Sequence, residues 1–320
     1  MGADVLSSLV EGVKRADRRA IGRAITLVES TRKEDTKPAL ELLSALYPFA
    51  GRALRLGVSG VPGAGKSTLI DALGLHAIAH GRRVGVLSVD PSSRVSGGSI
   101  LGDRTRMARL SQAEQAFVRP SPSAGAHGGL ALRTREAAVV LAAAGYDFLI
   151  IETVGVGQAE VSVSELSDVV LLVLLAGAGD DVQAMKRGIL EHADVIAFNK
   201  ADGANAPFAQ AARDELSAAL SWVRRTSPPV LALSAIEGSG VSELFDVIMQ
   251  RFAAAESDGS ITRKRREQRL EWFQHSIERA LRDRFESSTD GALRQRMTES
   301  VARGDILPVL AAHELLADTK

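Results

Sequence analysis

Along residues 2–48 the apolar positions recur every three or four places: Val5, Leu9 and Val13, then Ile21, Ile25 and Val28, then Leu40, Leu43 and Leu46. That spacing predicts two or three amphipathic helices with a break near 31–38. The basic residues among them, Lys14, Arg15, Arg18 and Arg19, read as a solvated helix face rather than a binding patch. From residue 52 to about 247 the pattern changes. Short β-branched runs at 54–59, 83–89, 116–119, 148–152, 169–175, 195–199 and 230–234 alternate with helical periodicity at 66–80, 104–111, 129–144, 182–191, 207–221 and 241–255. This alternation predicts an α/β fold, a mainly parallel sheet between layers of helices, with ligands taken at the carboxyl ends of the strands. Past 255, residues 257–260 interrupt the pattern. A charged helix at 263–284 carries Leu270, Phe273, Ile277 and Leu281 on one face, and helical segments at 292–302 and 307–317 follow. The expected organisation is an N-terminal helical extension (1–50), an α/β domain (51–256) and a C-terminal helical arm (257–320). An apolar stripe on an arm either packs back on the domain or meets a second chain.

Chemistry enters where the first strand of the alternating region gives way to a helix. Residues 60–68 read GVPGAGKST, the pattern G-x-x-x-x-G-K-[ST] of a phosphate-binding P-loop. Glycines at 60, 63 and 65 let backbone N–H groups turn inward around an anion at a helix N-terminus, so the whole run Gly60, Val61, Pro62, Gly63, Ala64, Gly65, Lys66, Ser67 and Thr68 is a candidate nucleotide site. Lys66 is expected on the β- and γ-phosphates and Ser67 on Mg²⁺. Asn199, Lys200, Ala201 and Asp202 follow the strand at 195–199 in the pattern N-K-x-D, which reads guanine: the Asp202 carboxylate can accept from both N1–H and the 2-amino group. Adenine offers no such pair of donors and would leave a carboxylate unpaired. Ser234 and Ala235 end the next strand, where a backbone N–H can meet guanine O6. A P-loop followed by these two loops predicts a GTP-binding protein.

Asp90 and Glu152 close two further strands, so both carboxylates are expected beside the P-loop and near the metal. Glu152 begins E-T-V-G in place of the more usual D-x-x-G, and the N–H of Gly155 can sense the γ-phosphate. Many GTPases follow that glycine with a glutamine that orients the attacking water. This chain has Val156 there, with Gln158 two places on, and an apolar side chain cannot orient water. Slow intrinsic hydrolysis is the expectation, unless Gln158, Asp103 or a partner supplies the group. The Gly/Ser-rich stretch 91–106, which ends on Asp103, Arg104 and Arg106, and the stretch 177–186, with Asp180, Gln183 and Lys186, read as switch loops.

Composition narrows the field without adding chemistry. The 320 residues are 45% hydrophobic and 24% charged, with 39 basic and 39 acidic side chains, so no bulk basic field points to nucleic acid or an anionic membrane. Cysteine is absent, which removes disulfides, thiolate metal sites and cysteine nucleophiles. No signal peptide or myristoylation pattern is read at the N-terminus, and the longest apolar run, 169–176, is far short of a bilayer span. A cytoplasmic protein is expected.

Taken together, 60–68, 89–93 (VDPSS), 97–107 (GGSILGDRTRM), 152–160 (ETVGVGQAE), 179–186 (GDDVQAMK) and 199–202 (NKAD) resemble the MeaB/ArgK family of P-loop GTPases, relatives of the human methylmalonic aciduria type A protein. The resemblance covers essentially the whole chain. It implies a homodimer joined through the C-terminal arm, using GTP/GDP and Mg²⁺ as a chaperone of adenosylcobalamin-dependent methylmalonyl-CoA mutase that gates cofactor loading and protects the enzyme from inactivation. It further implies that Lys66, Ser67, Asp90, Asp103 and Glu152 serve phosphate, metal and hydrolysis, and that 177–186, with Lys186, is an additional switch coupled to the mutase. No cobalamin-binding signature is read in this chain, so that cofactor belongs to the partner. The competing readings are a kinase acting in basic amino-acid (arginine/ornithine) transport, for which no phosphoryl-acceptor site is found, and a nickel-insertion GTPase, for which six scattered histidines offer no evident delivery site.

Overall fold

Seven strands form in the computed structural model, each built on one of the β-branched runs. The structure describes residues 2–51, 53–89, 107–121, 127–153, 159–176, 187–223, 227–288 and 290–317. The strands are β1 (Leu54–Gly60), β2 (Val84–Val89), β3 (Ala116–Ser121), β4 (Phe148–Thr153), β5 (Val169–Leu175), β6 (Val195–Asn199) and β7 (Val230–Ala232). All described pairings are parallel, in the order β3-β2-β4-β1-β5-β6-β7. The central strands are apolar on both faces because helices cover both. Between the strands run α4 (Lys66–Ala79), α5 (Ala108–Gln112), α6 (His127–Ala143), α7 (Ala159–Leu166), α8 (Arg187–His192), α9 (Ala206–Val223) and α10 (Val241–Ser257).

Alternation along each strand sorts the core into layers. Leu56 and Val58, Val84 and Val86, Phe148 and Ile150, and Leu171 and Val173 face α4, α5 and α10 in one buried cluster. Leu172, Leu174, Ile196 and Phe198 turn the other way, toward α8 and α9. The α7 side chain Val163 and the adjoining Ser167 approach β1 so closely that a Cβ at Gly57 would meet Val163 at 2.3 Å. Helix α7 lies in a stretch, VSVSEL, whose apolar spacing is two rather than three or four, so helical periodicity does not mark it.

At the N-terminus the periodicity resolves into α1 (Ala3–Lys14), α2 (Arg18–Val28) and α3 (Lys33–Leu46). The break precedes Lys33, and Pro38 sits inside α3. These helices pack on one another and on α6. They also cap the sheet edge. Arg119 of β3 pairs with buried Glu29 at 2.7 Å, and Arg18 donates to the Ala116 carbonyl at 2.8 Å. Arg18 therefore departs from the solvated face expected of it: its guanidinium meets carbonyls at the edge of β3, where unpaired backbone groups would otherwise face solvent.

The long helix α11 (Ser260–Ser288) begins at the opposite end of the strands from the P-loop. There Asp168, whose side chain is fully buried, accepts from Arg55 and from two nitrogens of Arg265 (2.9 and 2.6 Å). Gln268 closes the cluster, accepting from Arg55 and donating to the Ser167 carbonyl, both at 2.8 Å. Burial pushes the Asp168 carboxyl upward, but Arg265 and Arg55 outweigh it and hold the group below the ordinary carboxylate value. Two compact units follow from the chain's own contacts, Met1–Gln268 and Arg269–Lys320. The second unit holds the rest of α11, α12 (Gly291–Arg303) and α13 (Pro308–Ala317), the last two packed together. Its apolar side chains stay largely uncovered: Phe273 is 64% exposed, and Leu270, Leu281, Leu307 and Val309 are similar. No helix among the described residues is long and apolar enough to cross a membrane.

Replacing Asp168 by Asn leaves two guanidinium groups facing a neutral amide, and the expected loss is about 3–5 kcal/mol in urea unfolding. Because its folded pKa is lowered, the carboxylate's contribution is complete above the ordinary value of 3.8 and disappears as pH falls through the folded value. The Asp168→Asn protein should therefore lose the part of acid destabilisation that wild type shows below about pH 4. An unchanged acid limb would contradict this.

Candidate functional site

The parallel register brings the chemistry-bearing residues to one end of the sheet. Val58 of β1 and Ser88 of β2 both lie level with Glu152 of β4, so the carboxylate stands between the strand that enters the P-loop and its second neighbour. Gly60 ends β1 at φ 150, and a Cβ there would meet the Val173 carbonyl at 2.0 Å. Gly65, the N-cap of α4, lies at φ 80, where a Cβ would meet Asn199 Nδ2 at 2.6 Å. Both positions require glycine. The α4 N-terminus carries no side-chain cap, so its first N–H groups are left to an anion, with the helix dipole aligned behind them.

Lys66 is 8% exposed and lies back along the loop, its Nζ donating to the carbonyls of Gly60 (2.8 Å) and Val61 (3.1 Å). The Ser67 hydroxyl donates to Glu152 Oε1 at 2.9 Å, and Ser88 approaches Oε2 at 3.4 Å. Glu152 is 3% exposed. A hydroxyl and a buried carboxylate side by side at a phosphate-binding loop make a hard oxygen donor set of the kind Mg²⁺ takes. Among the described residues there is no group of three or more His, Cys, Asp or Glu side chains that could hold a metal ion.

On the other side of the P-loop, Asn199 joins two segments far apart in sequence. Its Nδ2 donates to the Ala64 carbonyl at 2.8 Å and its Oδ1 accepts from the Ala235 N–H at 3.0 Å. Lys200 follows at φ 61, a left-handed conformation that costs a residue with a side chain roughly 1–2 kcal/mol. Asp202 accepts from the Ser234 hydroxyl at 2.6 Å, and the same hydroxyl accepts from the Glu237 N–H at 3.2 Å. β7 ends at Ala232 because the chain turns there, with Ser234 N–H donating to the Ser239 carbonyl.

The structure thus gathers Gly60, Gly65, Lys66, Ser67, Glu152, Asn199, Lys200, Asp202, Ser234 and Ala235 at the carboxyl ends of β1, β4, β6 and β7. Pro62, Gly63, Ala64 and Thr68 lie in the same loop and helix start. Asp90, Asp103, Gly155, Gln158 and Lys186, like Val156 and the stretches 91–106 and 177–186, lie outside the described residues. Two residues that no sequence motif marks take part. Ser88 faces Glu152, and alternation one place before the end of a strand is its only signal. Buried Asp71 of α4 accepts from the Leu110 N–H at 2.8 Å, tying α5 to the P-loop helix.

A family model described as methylmalonyl Co-A mutase-associated GTPase MeaB matches residues 21–290. The chain is 46% identical over 318 residues to the probable GTPase Rv1496 of Mycobacterium tuberculosis, covering 98% of this chain and 95% of that one. It is 38% identical over 325 residues to the mitochondrial methylmalonic aciduria type A homolog of Mus musculus, covering 96% of this chain and 78% of the relative. Among solved structures, a LAO/AO transport system kinase superposes with a TM-score of 0.75 at 32% identity, covering 99% of this chain and 98% of that one.

Asn199→Ala removes the side chain that joins the P-loop to the loop at Ala235 and leaves a carbonyl and an amide to find other partners, at a cost of about 1–3 kcal/mol. The expected readout is GDP binding weakened roughly tenfold or more in calorimetric titration, with Asn199→Asp intermediate because it keeps the acceptor. Unchanged affinity in the alanine variant would mean that the two loops are positioned independently.

Proposed function

The chain belongs to the methylmalonyl-CoA mutase-associated GTPase MeaB family, and from that premise we propose that it is a GTP-hydrolysing chaperone of adenosylcobalamin-dependent methylmalonyl-CoA mutase. In this reading GTP binding and hydrolysis gate cofactor loading and protect the mutase from inactivation. The observation that carries it is the Asn199 bridge, which links a phosphate-binding loop to the loops expected to read guanine.

Each described side chain has a task in that reading. The N–H groups at the start of α4 and the Lys66 ammonium hold the β- and γ-phosphates. The Asp202 carboxylate, oriented by Ser234, accepts from the guanine edge, and the Ala235 N–H, which donates to Asn199 Oδ1, would meet O6 as a shared donor. Ser67 and Glu152, with Asp90 and Asp103, would hold Mg²⁺, which when bound neutralises charge developing on the phosphate oxygens. Val156 offers no hydrogen bond to an attacking water, so hydrolysis is slow alone and rises when the mutase, or a switch residue such as Gln158 or Lys186 that the mutase repositions, completes the site. Similarity to the LAO/AO transport system kinase favours one second reading, a kinase of basic amino-acid transport. Asp202 and its N-K-x-D context weigh against an ATP-dependent version of it.

The uncovered face of Leu270, Phe273, Ile277 and Leu281 supports a homodimer through the arm, since a stripe of this size on a long helix is stable in water when a second surface covers it. The domain division at 1–50, 51–256 and 257–320 belongs to the same proposal.

Nucleotide competition is expected to give GTP a preference over ATP of about a hundredfold or more, lost in Asp202→Asn, and Lys66→Ala is expected to abolish productive triphosphate binding. Steady-state phosphate release should rise by roughly 10-fold or more with a cognate mutase. Equal affinities for ATP and GTP would sink the guanine assignment, and a rate indifferent to the mutase would sink the partner. In light scattering, the double substitution Phe273→Glu and Leu281→Glu should halve the mass of the protein. A wild-type monomer would overturn the dimer.

A further inference from the structure

Helices α1 and α2 form a hairpin that is closely packed at Gly12, where a Cβ would meet the Ala20 Cβ at 2.6 Å. On its open side lies a groove of about 420 Å³. Its lining includes Val5, 45% exposed, and Leu9, only 5% exposed, beside Gly12 and Ala20, together with Arg15, Arg19 and Arg23. Asp4 and Ser8 stand toward the start of α1, and Asp17 lines the groove between Arg15 and Arg19, so one end is polar and acidic and the other carries three arginines and one aspartate.

The basic residues of this hairpin divide into two groups. Lys14 pairs with Glu11 and lies over the Phe49 ring, and Arg18 is spent on the carbonyls at the edge of β3. The guanidinium groups of Arg15, Arg19 and Arg23 make no hydrogen bond or ion pair among the described residues. The acid nearest them, Asp17, is itself occupied: its Oδ1 caps α2 by accepting from the Arg19 and Ala20 N–H groups, and these bonds hold its carboxyl below the ordinary value, with Arg19 and Arg15 adding to the effect. Arg19 and Arg23, four places apart on α2, repel each other in the free protein. Three exposed guanidinium groups, Arg15 at the end of α1 and Arg19 and Arg23 on α2, lining one groove suit carboxylates arrayed on a helix, which guanidinium binds in bidentate fashion.

We propose that the α1–α2 groove is a docking surface for an acidic amphipathic helix of a partner protein, held mainly by its carboxylates over Arg15, Arg19 and Arg23, with an apolar side chain on Val5. Asp4 at the far end disfavours a compact polyanion and admits a segment whose acidic stretch lies toward the basic end. The inference does not rest on the nucleotide reading, since the groove is built from α1 and α2 alone.

Because the chain lacks cysteine, Ser8→Cys accepts a single environment-sensitive dye inside the groove of the full-length protein. The probe is a synthetic amphipathic helical peptide with a leucine face and glutamates elsewhere, compared with a twin carrying lysines. The glutamate peptide is expected to shift the dye emission with an affinity that weakens as salt is raised. It should bind about tenfold or more weakly to a variant combining Arg15→Glu, Arg19→Glu and Arg23→Glu, and the lysine twin should not bind wild type. Circular dichroism and GDP affinity, unchanged in the variant, confirm that it is folded, and Arg15→Gln with Arg19→Gln serves if the full reversal does not fold. No dye response to the glutamate peptide, or equal affinity for wild type and variant, overturns the proposal. So does a response reproduced by inorganic triphosphate or by vesicles of anionic lipid at matched charge.

Discussion

The site depends first on a backbone contact. At Gly60, β1 must leave the sheet while still level with Val173 of β5, and the carbonyl of Val173 stands where a side chain would begin. Only glycine allows β1 to hold its register to the last residue and then curl over the end of the sheet. That register in turn fixes what the loop meets. Glu152 is level with Val58, so its carboxylate reaches Ser67 on the first turn of α4, and β6 ends where Asn199 can span the loop from the far side. A displaced β1 would turn its core face outward and separate Ser67 from Glu152 in the same movement. Fold and site therefore share one constraint.

The legible part of the molecule is the part in which a single physical signal dominates. Strands buried on both faces read as continuous apolar runs, and all seven are placed by pattern, β5 and β6 to the residue. The P-loop is legible because its glycines serve a backbone geometry that few other residues can serve, and the N-K-x-D loop because its proposed task, pairing a carboxylate with a base edge, admits few substitutes. Helix α7 escapes the pattern because its first turns alternate Val161, Ser162, Val163 and Ser164, a strand-like period that tertiary packing against Gly57 and β1 overrides. The network of Asp168, Arg55, Arg265 and Gln268 is illegible for another reason. Its members lie 213 positions apart at the extremes, and no local pattern marks a charge that will be buried and paired.

Arg18 shows how a charge run can mislead by averaging. Five basic residues between 14 and 23 share one composition, and a solvated face is the fair reading of such a run. The fold separates them according to direction. Lys14 and Arg18 point toward Phe49 and the edge of β3, and the other three line the groove between α1 and α2. The N-terminal helices are thereby part of the sheet's own edge protection rather than an appendage, since Arg18 and the Arg119–Glu29 pair close β3 against lateral pairing.

In the proposed function, what would distinguish this arrangement from a self-sufficient hydrolytic site is where its stability is placed. The groups proposed to hold a nucleotide are each supported by a hydrogen-bonded neighbour: Lys66 by two loop carbonyls, Glu152 by Ser67, Asp202 by Ser234, and the two loops by Asn199. The position that in many GTPases orients the attacking water is Val156, which cannot do so by hydrogen bonding. Preorganised binding groups lower the free energy of the bound triphosphate, but they accelerate its cleavage only to the extent that they hold the transition state more tightly than the ground state. A chain that invests in the former and leaves the latter incomplete keeps its triphosphate until something else supplies the missing group. For a protein whose proposed task is to report a bound state to a partner, that delay would be the useful property, and in this proposal it would follow from Val156 and the supported P-loop together rather than from either alone.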